Sequence, residues 1–439
     1  MPWHGEGPGV MKHFYGELRK RGVIHVPKKI SVKRGDAISV VFEPPTGAVA
    51  ETLQITVSGV VLRGSGAQEA GGTRIDMSGA PRVFLQAGGR GTWSKGTSVL
   101  VTDKYVPSGA TSLRVADASG FAVGESILVI RPVTTAWVAF MGMDKLVRNG
   151  VPQTWLNTSA RIQADRTIAK IAGDRLTFDA PLSDSYDATY VAPGATVVKY
   201  TFPERVAHVG VEHLRVVAPT MPPTPITQPL YSLFRIDAVV DGWVNDVTSL
   251  ETENSVILDT GVKRFTVRDL TISRSVVADG SSGYPLEVQL VGTQILVEGG
   301  GISGDNLFTY ATMSRVSGPN VVRNVVAHGN HARLEPHERW ATGLLVENVV
   351  HDDQLNLVNR GTDGTGHGWA VGWGVLWNST AATLDVQAPP GAMNWAIGST
   401  GAATGSGTFD SPGVQVAPKS LYRAQLCERL GVAALANAK

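Results

Sequence analysis

A right-handed parallel β-helix, all-β, with a small inserted β module and helical caps at its termini, is the fold that this 439-residue chain predicts. Three observations lead there. First, an apolar-x-polar-apolar-x-apolar strand returns as "VEHLRV" at 211, "VNDVTS" at 244, "VRDLTI" at 267, "VEGGGI" at 297, "VRNVVA" at 322 and "VENVVH" at 346, with a looser "VLWNST" at 375. Its intervals of 33, 23, 30, 25, 24 and 29 residues are those of a solenoid, in which no single coil buries its apolar face alone. Second, β-branched residues alternate with polar ones in each copy, and few windows carry helical periodicity. Third, 50 glycines, 24 prolines and only 18% charged residues describe a turn-rich β protein too apolar to be disordered.

Four segments follow along the chain. Residues 1–95 hold the N-terminal cap and the first coils. "MKHFYGELRKRG" (11–22) has apolar residues at helical spacing and ends in Gly22, as expected of a helix covering the open sheet edge. The basic cluster Lys12, Arg19, Lys20, Arg21, Lys28 and Lys29 reads as a solvated face of this region. "LQITVSGVVLRGSG" and "GGTRIDMSG" are short strands separated by glycine turns.

Residues 96–204 break the rhythm and form the inserted module, with Gly173-Asp174 as a hairpin turn. Trp137, Phe140, Met141, Met143 and Trp155 are its expected core, and its ends are expected to join the wall at one place, making it separable. Residues 205–405 are the main coils. Asn245, Asn324 and Asn348 fit turn positions between strands, and "APTMPPTPITQP" (218–229) is a loop leaving one face. Residues 406–439 are a tail and a helix, "KSLYRAQLCERLG", expected to cap the last coil with Leu421, Tyr422, Leu426 and Leu430 inward and Gly431 as its stop.

The formal net charge of +1 and the lack of a basic stripe exclude a nucleic-acid partner. No apolar run reaches membrane-spanning length. One cysteine, Cys427, excludes a disulfide framework. The opening "MPWHGEGPGV" lacks a basic-then-apolar leader; a secreted or periplasmic monomer remains the expectation.

Chemistry concentrates late in the chain. Five of the ten histidines, His328, His331, His337, His351 and His367, fall within 40 residues, with Arg333, Glu335, Glu338, Arg339, Trp340, Asp352, Asp353, Arg360, Asp363 and Trp369. Successive coils rise by about 4.8 Å, so residues some 25 apart can be neighbours. Asp352-Asp353 is either an acid pair or a turn acceptor. His328 and His331 have a spacing seen in metal sites but lack a third ligand, and the "NST" at 378 carries no assigned role.

These residues bring known proteins into view. "GVVLRGSG...GGTRI" and the returning "VxNV" coils resemble the pectate-lyase-like superfamily of right-handed parallel β-helix proteins, which includes polysaccharide lyases, polygalacturonase-type hydrolases and phage tailspikes. "EPHERWATGLLVENV" with "GTGHGWAVGWGVLWN" looks like a bacterial lyase-like group carrying an inserted module. "HDD...GTGHGWAVG" is similar to the Asp-Asp pair and Gly-His-Gly segment of polygalacturonases. There the two segments lie about a coil apart, whereas here Asp353 and His367 are 14 residues apart.

The resemblance implies a fold and a substrate class; the residues suggest the reaction. β-Elimination on a uronate needs a cation on the carboxylate, a base for the C5 proton and an acid for the leaving oxygen. Arg339 and Arg360 suit the first task, and His337 or His367 the second. No cofactor is assigned with certainty; a Ca²⁺ on Asp352 or Asp353 could substitute for an arginine. Glu338, Trp340, Trp369, Asp352 and His331 complete the expected substrate contacts. A hydrolase would instead pair Asp353 with Glu338 or Asp352, about 5 Å or about 6.5–9.5 Å apart. A non-catalytic, tailspike-like binder would use the tryptophans alone. In "PHERW" His337 and Arg339 are two apart, so an extended segment would aim both to one side and Glu338 to the other.

Overall fold

Strand residues in this chain stand on their counterparts one coil away. The computed structural model describes residues 38–41, 47–49 and 51–437; the expected N-terminal helix and basic cluster lie outside them. Twenty-seven strands pair in one parallel ladder. The recurrent valine of the motif forms a continuous interior column: Val211 pairs with Val244, then Val267, Val297, Val322, Val346 and Leu376, each 0–1% exposed. These strands form the first wall of a parallel β-helix. Gly210–Val217, Val239–Leu250, Lys263–Ser273 and Thr293–Ser303 each bend partway along and continue into a second wall. A third wall stacks Val83–Gly88, Ser232–Asp237, Val256–Leu258, Leu286–Leu290, Phe308–Thr312, Arg333–Leu334 and Gln354–Leu357.

The bend between the first two walls has one cause. His213, Asp246, Asp269, Gly299, Asn324, Asn348, Asn378 and Gly398 occupy equivalent corners with φ between +50° and +73°. Left-handed backbone costs an L-residue roughly 1–2 kcal/mol, least for Asn, Asp and Gly. Their side chains also stack: Asn348 Nδ2 donates to Asn324 Oδ1 at 3.3 Å, and His213 Nδ1 meets Asp246 Oδ2 at 2.7 Å. At Gly299 a Cβ would lie 2.3 Å from Asp269 Oδ1, so the column is interrupted by glycine. Asn324 and Asn348 sit where the sequence places them. Asn245 does not: its neighbour Asp246 takes the corner.

Outside the first wall a second column alternates in charge. Arg63, Glu212, Asn245, Arg268, Glu298, Arg323 and Glu347 are stacked in register. Ion pairs join Arg63 to Glu212 (2.5 Å), Arg268 to Glu298 (3.3 Å), and Arg323 to Glu298 (3.0 Å) and Glu347 (3.1 Å). The C-terminal helix, Leu421–Leu430, is present but lies against this flank rather than over the last coil. Glu347 accepts hydrogen bonds from Ser420 Oγ (2.6 Å) and Tyr422 N (2.8 Å), and Trp377 Nε1 donates to Pro418 O. Leu421 and Tyr422 pack here, whereas Leu430 is exposed.

Between Gly88 and Val206 the chain leaves the helix and builds a six-stranded antiparallel sheet whose first and last strands, Ser94–Leu100 and Thr196–Thr201, pair with each other. Gly173-Asp174 turns Arg161–Ala172 into Arg175–Phe178. The sheet docks on the wall through buried contacts. Trp137, Met141, Met143 and Trp155 pack with Trp340 and Trp369 of the coils, while Phe140 is partly exposed and stacks on Tyr190. Lys263 of the wall reaches Asp165 of the insert at 2.7 Å. Arg166, fully buried, donates to Gly318 O. Among the described residues no helix is long and apolar enough to cross a membrane.

Two outcomes follow. Asn324→Val should lower the urea midpoint by the equivalent of about 1–2 kcal/mol, with Asn324→Gly costing much less, because only the former puts a β-branched side chain at positive φ. Replacing residues 98–202 by a glycine linker should give aggregated protein, since Lys263 loses its carboxylate and Trp340 and Trp369 their cover; a soluble monomer with intact β circular dichroism would contradict this.

Candidate active site

Three coils meet at the corner that follows the third wall. The chain from Arg333 to Trp340 crosses it, and the turn 360–368 lies on the next coil, tied to it by Arg339 N donating to His367 O (3.0 Å) and closed on itself by Arg360 N donating to Gly368 O (2.8 Å). His337 and His367 stand with ring centroids 4.6 Å apart. Phe308, one coil earlier, meets His337 edge-on at 5.3 Å and lies beneath the guanidinium carbons of Arg333 (4.8 Å) and Arg360 (5.1 Å). Arg333 also lies over Tyr284 at 5.4 Å.

The arginines are not equivalent. Arg360 binds Glu335 Oε1 at 2.9 Å and Asp363 Oδ2 at 3.2 Å, and donates to both the carbonyl and Nδ1 of His337 at 2.9 Å. Arg339 pairs with Glu338 and donates to Thr365 Oγ1 at 2.5 Å. Arg333 is half-buried, and among the described residues no carboxylate forms an ion pair with it. A cation clamped over two aromatic rings with its fork unused is ready to receive an anion.

The histidines differ too. A guanidinium only donates, so His337 Nδ1 must accept from Arg360 and its proton sits on Nε2. That leaves His337 with no free lone pair. His367 Nε2 lies 3.7 Å from Glu338 Oε2, and its buried Nδ1 has no hydrogen-bond partner. Burial, then the field of Arg360, holds His337 down at about 3 and His367 at about 4, so both rings are neutral at pH 7. Burial raises the Glu335 carboxyl, opposed by Arg360 and by the amide of Asn356, whose Nδ2 donates to Glu335 Oε2 at 2.7 Å.

The corner thus unites His337, Glu338, Arg339, Arg360 and His367. His331, Asp352 and Asp353 belong to the opposite corner, ahead of the third wall. His331 is exposed at φ +52°. Asp352 faces His328 at 3.0 Å, and Asp353 N donates to His351 Nδ1 at 3.1 Å. Arg360 lies seven positions beyond Asp353, with the third-wall strand Gln354–Leu357 between them. The expected carboxylate pair and calcium position are therefore remote from the cluster, and among the described residues no three His, Cys, Asp or Glu side chains converge to hold a metal.

Trp340 and Trp369 are 2% and 8% exposed, with indole N–H groups donating to Asp184 Oδ2 and Met141 O. They seat the insert and do not face a sugar. His337 and Arg339 do not share an extended segment, because Arg339 and Trp340 have φ of +49° and +67° and the chain turns there. Glu338 consequently joins the cluster instead of pointing away.

Sequence reasoning named Arg333 and Glu335 but gave neither a role, and it passed over Phe308 and Asn356. Their signal is the alternation in "ARLEPH", which sends Arg333 and Glu335 to one side of a strand.

No protein-family model and no curated protein matches the chain. Among solved structures it is similar to the Gp54 tailspike of Acinetobacter baumannii bacteriophage AP22, at 12% identity and TM-score 0.37, covering 90% of this chain and 55% of that one. It is also similar to the tailspike gp49 from Pseudomonas phage LKA1, at 10% and 0.40 over 85% and 69%. DFA-IIIase from Arthrobacter chlorophenolicus A6 aligns at 10% and 0.30 over 98% and 88%. The chain spans little more than half the length of the first.

His351 gives a test of these environments. Burial holds it at about 4, below the unfolded value of about 6.5. Between those values only the unfolded state binds this proton, so the contribution to stability is present above about pH 6.5 and is lost as pH falls toward 4. The stability advantage of the natural protein over His351→Asn, measured by urea unfolding, should shrink by up to about 3 kcal/mol across that window; a pH-independent difference would show that His351 is solvated.

Proposed function

We propose that the chain is a glycan-cleaving enzyme that takes an acidic polysaccharide at this corner and breaks it by β-elimination at a uronate. The observation that carries the reading is Arg333, a half-buried guanidinium held over Tyr284 and Phe308 without a carboxylate partner among the described residues. A uronate carboxylate fits its open fork, and pairing there draws charge from the sugar C5 and acidifies its proton. Arg339 and Arg360, first choices on sequence grounds, are already neutralised by Glu338, Glu335 and Asp363.

The base falls to His367, whose ring, unlike that of His337, makes no hydrogen bond among the described residues; the imidazolium formed by taking the C5 proton gives it to the departing C4 oxygen as the C4–O bond breaks. Its low proton affinity comes from burial first and then from Arg360 and Arg339. A bound uronate offsets that positive field and makes the ring a better base when substrate is present. His337, its Nδ1 occupied, presents an N–H and orients Arg360. One observation favours a hydrolase as the second reading: Glu335 is buried with its carboxyl raised, as a general acid requires, and Glu338 would be its partner.

Incubation with acidic glycans should yield an unsaturated product seen by ultraviolet absorbance. His367→Ala should lower kcat by about a hundredfold or more. Arg333→Ala should lower kcat/KM by about tenfold or more, with partial recovery in Arg333→Lys. New reducing ends without unsaturation, abolished by Glu335→Gln, would establish the hydrolase instead. Normal activity in Arg333→Ala would remove the basis of the proposal.

A further inference from the structure

Between the inserted sheet and the coil wall lies a cavity of about 130 Å³, roughly ten times the space one water needs. Its lining includes Trp93 and Arg161 of the insert and Thr260, Ser314, Arg315 and Ser317 of the wall. Two buried polar atoms here are without a partner among the described residues: Trp93 Nε1 and the hydroxyl of Ser317, the latter residue being 5% exposed. Buried donors and hydroxyls left unpaired cost about 1–3 kcal/mol each, and such atoms are rare unless something binds them. Trp93 is propped by Phe202 at a centroid distance of 4.9 Å, which fixes the indole beside the opening.

The charge of the lining is unbalanced. Among the described residues Arg161 bonds only backbone carbonyls, those of Thr158, Ser159 and Ala160. Arg315 is exposed and, among the described residues, forms no ion pair. The one acid in the lining, Asp165, is already held by Lys263 at 2.7 Å, Tyr200 Oη at 2.7 Å and Arg205 at 3.5 Å. A ligand therefore meets two unneutralised guanidiniums, several hydroxyls and an indole.

The cavity is also in line with the cluster described above. Arg315 N donates to Arg339 O at 2.9 Å, and Arg339 N to His367 O at 3.0 Å. Arg315 is thus two coils, about 10 Å, from His367 along the helix axis.

We propose that this cleft is a second binding site for a uronate residue of the same glycan, with Arg315 and Arg161 on its carboxylate, Ser317 and Trp93 Nε1 on its hydroxyls, and the Trp93 ring beside its apolar face. The identity of the ligand rests on the function proposed above; the cleft itself does not. A chain lying along the corner would occupy it while a neighbouring unit reaches Arg333 and His367.

The test uses isothermal titration of the full chain, in the natural form and in the His367→Ala background where cleavage does not consume the probe. The probes are tetrasaccharides of galacturonate, of mannuronate and of hyaluronan, with cellotetraose as the neutral control. At least one acidic probe should bind in both backgrounds. Arg315→Ala should weaken it tenfold or more, and Trp93→Phe, which keeps a ring but removes the N–H, severalfold. Arg315 is exposed, and an unchanged urea midpoint of Arg315→Ala separates lost binding from lost fold. The cleft is overturned if no acidic probe binds, if cellotetraose binds as well as the acidic probes, or if Arg315→Ala binds unchanged. Arg315-dependent binding without cleavage by the natural protein would retain the cleft and discard the enzyme; cleavage with Arg315-independent binding would do the reverse.

Discussion

In-register parallel stacking is the constraint from which the rest of the molecule follows. Each coil advances by about 4.8 Å, so every side chain has a fixed neighbour above and below. Whatever a position contributes, it contributes as a column. Inside the first wall that column must be apolar along its length, and it is. At the corner it must tolerate positive φ in each coil, and Asn, Asp, His or Gly fills it. The same stacking gathers the candidate site. His337 and His367 are 30 positions apart in sequence and 4.6 Å apart between ring centroids.

The periodic part of this architecture was legible in the sequence because it is periodic. Valines at coil spacing specify an interior column, and Asn324 and Asn348 mark their own corners. Asn245 misled because the corner there belongs to Asp246, and a one-residue difference between two turn-forming side chains leaves no trace in composition. Around the site the limits were physical. The two-residue rule for His337 and Arg339 holds for extended backbone and fails where φ turns positive at Arg339. Sequence distance groups Asp352 and Asp353 with His367, yet the third wall runs between them. Trp340 and Trp369 read as sugar platforms until the insert is placed on top of them. Arg333 stood out least, since a cation lacking an acid can be recognised only once its neighbours are known.

The insert changes what the coils can do. Its seat combines indoles with a buried ion pair, Lys263–Asp165. Such pairs add little net stability over apolar packing, but separating the partners costs about 3–5 kcal/mol. The insert is thereby fixed in one orientation on the wall. A fixed overhang beside a corner makes a cleft with constant width, and this is how a convex solenoid surface acquires a concavity.

The alternating column of arginine and glutamate outside the first wall has a bearing on how this chain could have lengthened. Solenoids grow by copying coils, and an apolar interior column accepts a copy of any size. A charged column does not. Removing the coil of Glu298 would bring Arg268 against Arg323, and repeating it would set glutamate on glutamate. Two like charges about 4.8 Å apart repel by roughly 3 kcal/mol near a protein surface. Gene duplications that preserve the column must therefore carry coils in pairs, so that along this stretch the heritable unit is two turns of the helix while the structural unit is one.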